Sequence, residues 1–513
     1  MTSCEDFLET RTGSKTPLDG YTIDTQDEAR YAMFGILQQL QCLADRFVVL
    51  GELRADLLTV TDNSSQDLRD IASGTVDPLN VWHWESDLYA VVNNCNLLLS
   101  TIDTTVTVVN DHGEKERSLR REYRAAEAIR CWCLLRLALT YGEAFYTEEP
   151  IVDGMKEVEF ETLSLESLLP RLVSTLLPLV PTDAEQVEEV PEYGTIGSYN
   201  CRKLFIPVRV LLGDIYLLMN DYENAARMYY AHLLAEKLTV LNMRNGWRDN
   251  TFTSVSTRNW PRLFTTDNEL VAVLQGTEDY SAGTIHLPEL FDIETDYAMA
   301  PSPGALLLWE KQDYAYSATA SVPGDLRGEY GTYTFTTIFN GVSDDEHCSV
   351  TKYDNLEQTV ILYRTSTVWL RYAEALNRLG KYNTAFAFLK HGLTRATMTT
   401  PSYVPSSEWT DEAGNVIDWM DFGQGDYSRD AVFSSNVGMH TRGSGSNLPL
   451  FRSYAIGSGV DSILYVEDLL LDEMALETAY EGNRMEDLYR IAHHRGTQPA
   501  VPQLFLPHQT RKE

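Results

Sequence analysis

The chain has 513 residues and a formal net charge of −34, because 75 acidic residues outnumber 41 lysines and arginines. Hydrophobic residues make up 43% of it and aromatic residues 11%, a composition typical of a globular protein with a large core. So acidic a surface argues against non-specific nucleic-acid binding and against docking on anionic lipid, since both partners are negatively charged. No run of eighteen apolar residues occurs, so no membrane-spanning helix is expected.

The N-terminus carries a pattern that bears on membrane attachment. The basic and apolar regions of a signal peptide are not recognisable there. Ser3 and Cys4, followed by the acidic and apolar residues 5–8, are what remains when the signal before a lipidated cysteine is removed. On its own the pattern fits a lipidated Cys4 and a chance N-terminal cysteine equally well. The seven cysteines contain no C-x-x-C pair, so neither a zinc ribbon nor a redox motif is predicted.

Helical periodicity dominates the first 240 residues. Apolar residues recur at helical spacing over residues 29–47, 82–99, 118–141 and 165–177, and each stretch predicts one helix.

A helix pair with the spacing of a tetratricopeptide repeat follows these helices. Gly213, Tyr216, Ala225 and Tyr229 stand at the intervals of such a unit, which consists of two antiparallel helices. The missing side chain at Gly213 lets the second helix approach closely, and the two tyrosines are expected to fill the contact. Residues 220–221 are predicted to form the turn between the helices.

Two further helix pairs are predicted near the C-terminus. One runs from Trp369 to Leu389 with Gly380 at its turn, and a looser one combines residues 469–480 with residues 484–492. The three pairs are far apart in the sequence. They therefore predict a helical scaffold and not one continuous solenoid.

The middle of the chain has a different character. Residues 269–275 and 330–339 read as strands between long irregular stretches. Residues 398–463 are rich in glycine, serine and proline, and loops of this length are usually functional or are insertions on a rigid frame.

These patterns divide the chain into three regions of one integrated fold. They are an N-terminal helical region (1–242), an irregular, partly β region expected to bind ligand (243–365), and C-terminal helices with a long loop at 398–463 (366–513).

No short catalytic motif is present. The sequence lacks G-x-S-x-G, G-x-x-x-x-G-K-[ST], H-E-x-x-H and G-x-G-x-x-G, so no cofactor and no metal are indicated. A glycosidase needs only two well-placed carboxylates and leaves no short motif, which keeps that alternative open.

Aromatic residues are abundant on the irregular segments. Trp82 and Trp84 stand close together, and Trp309, Tyr314 and Tyr316 form a second group. Such residues beside polar ones suit sugar recognition, because one face of a pyranose stacks on a ring while its hydroxyls meet polar groups. The alternative is that each ring anchors its own loop. Trp84 falls in the apolar stripe of its helix and is expected in the core.

Several motifs occur together in a characteristic order. They are the start at Cys4, the helix with Trp84, Tyr89, Asn93 and Asn96, residues 127–142, residues 364–380, and the charged pattern of residues 473–490. Together they resemble the SusD/RagB family of surface lipoproteins, which bind substrates for TonB-dependent outer-membrane transporters. The likeness is strongest at residues 364–380.

The resemblance implies a fold and a function. The fold is mostly α: a right-handed superhelical scaffold of tetratricopeptide-like helix pairs that supports a loop-rich, partly β region. The function is non-catalytic: capture of oligosaccharides or polysaccharides at the outer-membrane surface and delivery to a SusC-like TonB-dependent transporter. Attachment through the lipid anchor is implied, and neither nucleic acid nor a cofactor is expected.

The resemblance also suggests where ligand binds, namely before the Trp84 helix and in the middle region. The expected ligand-binding residues are Asp67, Arg69, Trp82, Trp309, Tyr314 and Tyr316. The rings would be stacking platforms, and Asp67 and Arg69 would hold hydroxyls by charge-assisted hydrogen bonds.

The charged residues of the family motifs are expected to serve the scaffold instead. Ion pairs and helix caps between the helix pairs are predicted for Glu374, Arg378, Glu481, Arg484 and Asp487.

Three other functions remain as alternatives. A peptide-importing lipoprotein of the RagB type would keep the fold and change the ligand. A tetratricopeptide adaptor would need a continuous concave groove, which the separated repeats do not favour. A glycosidase would release products from an oligosaccharide.

Overall fold

The computed structural model describes residues 21–75, 77, 79–109, 115–152, 160–196, 199–240, 268–276, 284–315, 321–329, 331–339, 341–356, 358–445 and 454–497. Cys4 and Tyr316 lie outside the described residues, so the expectations for both stay predictions.

Helices make up most of the regular structure. In chain order they are α1 (Gln26–Gln41), α2 (Ala44–Glu52), α3 (Gln66–Ser73), α4 (Glu85–Thr101), α5 (Arg120–Tyr141), α6 (Leu165–Leu176), α7 (Val208–Leu218), α8 (Tyr222–Ala235), α9 (Leu287–Phe291), α10 (Pro303–Glu310), α11 (Thr365–Arg378), α12 (Tyr382–Lys390), α13 (Arg395–Met398), α14 (Ser406–Trp409), α15 (Tyr427–Phe433), α16 (Thr441–Ser444), α17 (Ser462–Thr478) and α18 (Arg484–His494). The mostly helical fold class is confirmed.

The strands are short. They are β1 (Leu58–Val60), β2 (Thr107–Val109), β3 (Lys115–Ser118), β4 (Glu143–Tyr146), β5 (Glu161–Ser164), β6 (Thr195–Ile196), β7 (Tyr199–Asn200), β8 (Leu270–Gln275), β9 (Met299–Pro301), β10 (Asp313–Ala315), β11 (Ser321–Pro323), β12 (Tyr333–Phe339), β13 (Asp344–Val350) and β14 (Thr359–Arg364). They pair as antiparallel two-stranded ribbons. Two ribbons, β1–β9 and β8–β14, join segments far apart in the sequence.

One predicted helix is in fact two. The apolar pattern of residues 29–47 predicts a single helix, but the structure ends α1 at Gln41 and begins α2 at Ala44. Leu40, Leu43 and Phe47 are all buried, so the apolar stripe continues through the break. The periodicity therefore carries no signal of the turn.

The first predicted helix pair is confirmed as α7 and α8. A Cβ atom at Gly213 would lie 2.4 Å from the ring of Tyr229, so only glycine allows this approach. The Tyr229 hydroxyl donates to Asp214 at 2.6 Å. Asn220, with a φ of 60°, makes the turn.

The two C-terminal pairs, α11–α12 and α17–α18, are confirmed as well. Gly380 follows the end of α11 and Gly482 lies in the turn between α17 and α18, with φ values of 79° and 86°. The left-handed backbone at both turns explains why glycine stands there. Helix α11 packs against both α8 and α17, so it joins the first pair to the last.

The charged motif residues form ion pairs inside the scaffold, as the sequence predicts. The pairs are Glu374 with Arg378 (2.6 Å) and Arg490 (3.0 Å), Glu481 with Arg364 (2.9 Å), Arg484 with Asp56 (2.7 Å), and Asp487 with Arg490 (2.6 Å). Most of these side chains are buried, which explains their strict pairing.

A second buried charge cluster surrounds Glu477 on α17. Its carboxylate lies 2.5 Å from Arg442, 2.8 Å from Arg364 and 2.9 Å from Arg327. The same arginines reach Glu269 on the β8 side and Glu473 one turn away on α17. This cluster therefore connects the middle region with the C-terminal helices.

The first helices contact the last turn of the scaffold. Glu52, the final residue of α2, accepts hydrogen bonds from the backbone amides of Gly482 (2.8 Å) and Asn483 (3.1 Å). A Cβ atom at Gly51 would lie 2.0 Å from the Gly482 carbonyl oxygen, so the two backbones touch. Among the described helices, none is both long and apolar enough to cross a membrane.

Candidate functional site

A cavity of about 680 Å³ lies between α4 and the β4–β5 ribbon. We call it the α4 pocket. Its lining includes Tyr89, Asn93, Asn96, Phe145, Phe160 and Thr162. This volume falls in the range of pockets that bind small ligands.

The local sequence places these side chains on the pocket side. Helix α4 buries an apolar stripe that contains Leu88 and Cys95, and it packs against α5. Tyr89 and Asn93, four residues apart, lie together on a different, half-buried face. On β4, burial alternates between full and partial, so Phe145 points away from the buried side chains.

The pocket has an aromatic wall. The rings of Tyr89 and Phe145 are stacked, with centroids 5.9 Å apart and planes inclined by 25°. Phe160 continues the wall, with its ring centroid 6.3 Å from that of Phe145. The Tyr89 hydroxyl also accepts a hydrogen bond from the Phe145 amide at 2.7 Å, which fixes the first ring to the strand.

Two asparagine side chains of α4 hold the segment that follows β4 beside the pocket. Asn93 donates to the Ile151 carbonyl at 3.1 Å and accepts from the Ile151 amide at 2.6 Å. Asn96 donates to the Thr147 carbonyl at 2.9 Å and accepts from Arg130 at 3.2 Å. Both asparagines therefore position the segment that follows β4.

The polar groups at the pocket are mainly amides and hydroxyls. Among the lining residues that the structure describes, Glu85 is the single carboxylate. Tyr146 is the last residue of β4 and lies on the buried side of that strand. Burial and then a hydrogen bond to Glu148 raise the pKa of Tyr146 to about 12, so its phenol is neutral. The described pocket can therefore stack on an apolar face and hydrogen-bond to hydroxyls, but it lacks the paired carboxylates of a glycosidase.

Three of the predicted site residues lie close together beside the start of α4. The Asn80 side chain donates to the Asp67 carbonyl and accepts from the Trp82 amide, both at 2.9 Å. The guanidinium of Arg69 donates to the carbonyls of residues 61–62 at 2.8 and 3.0 Å. Arg69 therefore holds its own loop. The side chains of Asp67 and Trp82 stay partly exposed, and their role as ligand contacts remains a prediction.

Trp309 does not lie where the sequence prediction needs it. Only 1% of its surface is exposed, and its ring packs on Tyr333 and Tyr480 at centroid distances of 5.3 and 6.3 Å. The prediction of a stacking platform is therefore wrong for this residue, because the ring belongs to the core. Ala305, one helical turn earlier, is also buried, and that spacing signals a core-facing stripe.

Tyr314 is half-buried on β10. A Cβ atom at Gly324, the residue after the neighbouring strand β11, would lie 3.4 Å from its ring. The β1–β9 ribbon, which pairs Leu58 with Pro301, brings the segment before α10 and β10 next to the segment before α3. The β1–β9 ribbon therefore joins the segment that carries Asp67 and Arg69 to the segment that carries Tyr314. Trp309 lies on the second segment but packs into the core.

The α4 pocket residues were not assigned to a site from the sequence. Tyr89, Asn93 and Asn96 stand out as family motif residues, yet the motif alone does not say that they line a cavity. Phe145 and Phe160 carry no motif at all. One feature of the sequence does point to the pocket. Tyr89 and Asn93 both carry polar groups and lie one turn apart on α4, outside its apolar stripe, which indicates a second functional face of that helix.

Known proteins share this fold. Residues 309–510 match the SusD family. The crystal structure of a SusD superfamily protein from Bacteroides vulgatus has a TM-score of 0.60 at 14% identity, covering 94% of this chain and 91% of that one. A SusD superfamily protein from Bacteroides thetaiotaomicron gives a TM-score of 0.57 at 16% identity, covering 93% and 92%.

A third solved structure carries a functional description. It is a SusD-like carbohydrate binding protein from Bacteroides vulgatus, with a TM-score of 0.54 at 12% identity, covering 91% of this chain and 84% of that one. No match was found among curated proteins. Residues 309–510 therefore match the SusD family in sequence, and the chain shares its fold with solved SusD superfamily structures.

Proposed function

We propose that the protein is a non-catalytic glycan-binding lipoprotein of the outer-membrane surface. It captures oligosaccharides and delivers them to a SusC-like TonB-dependent transporter. The observation that carries the proposal is the α4 pocket, which combines an aromatic wall with amides and hydroxyls on a SusD-type scaffold.

The chemistry of the pocket favours a sugar. Tyr89, Phe145 and Phe160 offer ring faces on which the apolar face of a pyranose can stack. Thr162 and the second N–H of the Asn93 amide offer hydrogen bonds to its hydroxyls. Asp67 and Trp82, beside the start of α4, are proposed to extend the same binding surface. The description of a structural neighbour as a carbohydrate binding protein supports this ligand class.

The cellular role rests on the family. The chain resembles the SusD/RagB family, whose members are partners of TonB-dependent transporters. Cys4 stands at the position where the lipid anchor of such proteins is expected. The test is fractionation of cells that express the chain behind a lipoprotein signal sequence. A Cys4→Ala variant should leave the outer-membrane fraction, whereas retention of this variant would contradict the anchor.

The ligand class is tested by calorimetric titration of the protein against neutral oligosaccharides, acidic oligosaccharides and short peptides. Saturable binding of a glycan, weakened at least tenfold by Phe160→Ala, is the expected result. Every mixture is then analysed for cleavage products. Binding of peptides alone would replace this proposal with peptide import, and released sugars would replace it with a glycosidase.

A further inference from the structure

A second cavity lies away from the α4 pocket. It has a volume of about 240 Å³ and sits between the 3₁₀ turn Cys201–Leu204, the end of α8 and the start of β8. We call it the α8 pocket, with Arg202, Lys203, His232 and Leu270 among its lining. At about 30 Å³ per water it has the volume of about eight water molecules. It shares no lining residue with the α4 pocket.

His232 is the unusual member of this lining. It stands in the last turn of α8 and is only 3% exposed. Its Nε2 atom is buried, and no described residue forms a hydrogen bond with it. A buried ring nitrogen without a partner costs free energy, unless something that the protein atoms do not supply completes its hydrogen bond.

Cationic groups surround this imidazole. Burial first, and then the charges of Arg209, Lys203 and Arg202, lower the pKa of His232 to about 3, so the ring is neutral at physiological pH. The end of a helix normally favours a protonated histidine. Burial and the local positive charge together therefore outweigh the helix dipole here, in a protein whose net charge is −34.

The carboxylates near the pocket are already engaged. Both oxygens of Glu188 accept backbone hydrogen bonds, from Val208 at 2.8 Å and Arg209 at 2.9 Å. Glu236 pairs with Arg202 at 3.2 Å. Asp183 is a third carboxylate near Arg209, but the charges that act on the His232 ring are those of Arg209, Lys203 and Arg202.

Apart from Asn200, the rest of the lining is apolar. Phe205, Pro207, Leu238 and Val271 contribute carbon surface around the polar groups. A ligand that matches both parts carries a compact carbon body and one negative group.

We propose that the α8 pocket binds a small organic carboxylate, which accepts a hydrogen bond from Nε2 of neutral His232 and lies in the positive field of Arg202 and Lys203. This site goes beyond the proposed capture of glycans in the α4 pocket and does not depend on it.

The test compares D-glucuronate with D-glucose, because the two sugars differ by the carboxylate alone. Calorimetry on the full chain is expected to show saturable binding of glucuronate and none of glucose at this site. Arg202→Gln, which changes a half-buried residue, should weaken glucuronate binding at least tenfold. Phe339→Ala, at an exposed hairpin, should bind glucuronate like the unchanged protein.

A spectroscopic readout locates the ligand independently of stability. The imidazole signal of His232 in NMR, assigned by its loss in His232→Phe, should shift with glucuronate and not with glucose. If His232→Phe does not fold, Arg202→Gln and the ligand-dependent shift still decide the question. Equal binding of both sugars, no binding of glucuronate, or binding that survives Arg202→Gln but not Phe160→Ala would overturn the proposal.

Discussion

The side chain of Asn93 pairs with the backbone of Ile151 in both directions. Its nitrogen donates to the carbonyl at 3.1 Å, and its oxygen accepts from the amide at 2.6 Å. One side chain of α4 thus forms both backbone hydrogen bonds of Ile151, which a neighbouring strand would otherwise supply. The rim of the α4 pocket therefore depends on an amide and not on a sheet.

Replacing Asn93 by alanine should loosen that rim. Loss of both hydrogen bonds is expected to reduce glycan affinity and to lower the free energy of unfolding by about 1–3 kcal/mol. Calorimetry and urea unfolding measure the two effects. Asn94→Ala is the matched control, because Asn94 bonds to Gln39 and does not line the pocket. Equal loss of affinity in both variants would contradict the special role of Asn93.

Phe160→Ala tests the aromatic wall. The ring is 37% exposed, so its removal leaves stability nearly unchanged while a stacking surface is lost. Glycan affinity should fall at least tenfold, which corresponds to about 1.4 kcal/mol, similar to one aromatic contact. Phe339→Ala removes an equally large ring that is 67% exposed on the β12–β13 hairpin, and it should bind normally. Unchanged affinity in Phe160→Ala would exclude the wall from the site.

The two predicted tryptophans should behave differently. Trp309→Ala opens a cavity in the core and is expected to cost about 3–5 kcal/mol of unfolding free energy. Trp82→Ala removes a partly exposed ring, so its main expected effect is weaker glycan binding. Thermal unfolding and calorimetry separate these outcomes. If Trp82→Ala binds glycan with full affinity, the loop before α4 does not belong to the binding surface.

Glu477→Gln probes the buried charge cluster. Burial alone would raise the pKa of Glu477, but Arg442, Arg364 and Arg327 outweigh it and hold that pKa far below its usual range. A carboxylate with a lowered pKa stabilises the fold above the pKa of an unfolded glutamate, about 4.3, and loses this contribution as pH falls. At pH 7 the variant should lose about 3–5 kcal/mol, because three buried arginines lose the negative charge that they share.

Urea unfolding at pH 7 and pH 4 checks this prediction, and the deficit should be smaller at pH 4. Glu223→Gln provides the control, since Glu223 forms an exposed pair with Arg227 one turn away. Such pairs contribute about 0.3–0.5 kcal/mol. A deficit in Glu477→Gln that is the same at both pH values would be inconsistent with the lowered pKa.

Glu52 should show the opposite dependence on pH. Burial raises the pKa of Glu52 to about 8, even though backbone amides of the α17–α18 turn donate to it. The folded state therefore binds a proton that the unfolded state releases near pH 4.3, and stability from this group is lost as pH rises towards 8. Glu52→Gln mimics the protonated form and avoids this loss. The stability of the variant relative to the unchanged protein should grow between pH 5 and pH 8 in urea unfolding; parallel curves would contradict the raised pKa.

Much of the scaffold follows from local sequence patterns. The spacing of Gly213 and Tyr229 predicts the α7–α8 pair, because a ring can only fit where a side chain is missing. The charged motif residues of α11, α17 and α18 likewise predict buried ion pairs, since charges amid apolar residues need partners. Both kinds of signal lie within one element or one repeat.

The site does not follow in the same way. The burial of Trp309 depends on Tyr333 and Tyr480, which come from distant segments, so an aromatic in an irregular region looks the same whether it is covered or open. The α4 pocket combines a helix with strands about 55 to 75 residues later. Only the packing of these elements turns Phe145 and Phe160 into one wall with Tyr89.

The contact of Gly51 and Glu52 with the turn at Gly482 sets an order of events during synthesis. The two sides of this contact are 430 residues apart. At roughly 5–20 residues per second, a ribosome needs on the order of 20–90 s to make the second side after the first. During that time the partner of helix α2 has not been synthesised. The contact between α2 and the α17–α18 turn can therefore form only when nearly the whole chain has emerged. Nascent chains are therefore exposed to misassembly for most of their synthesis.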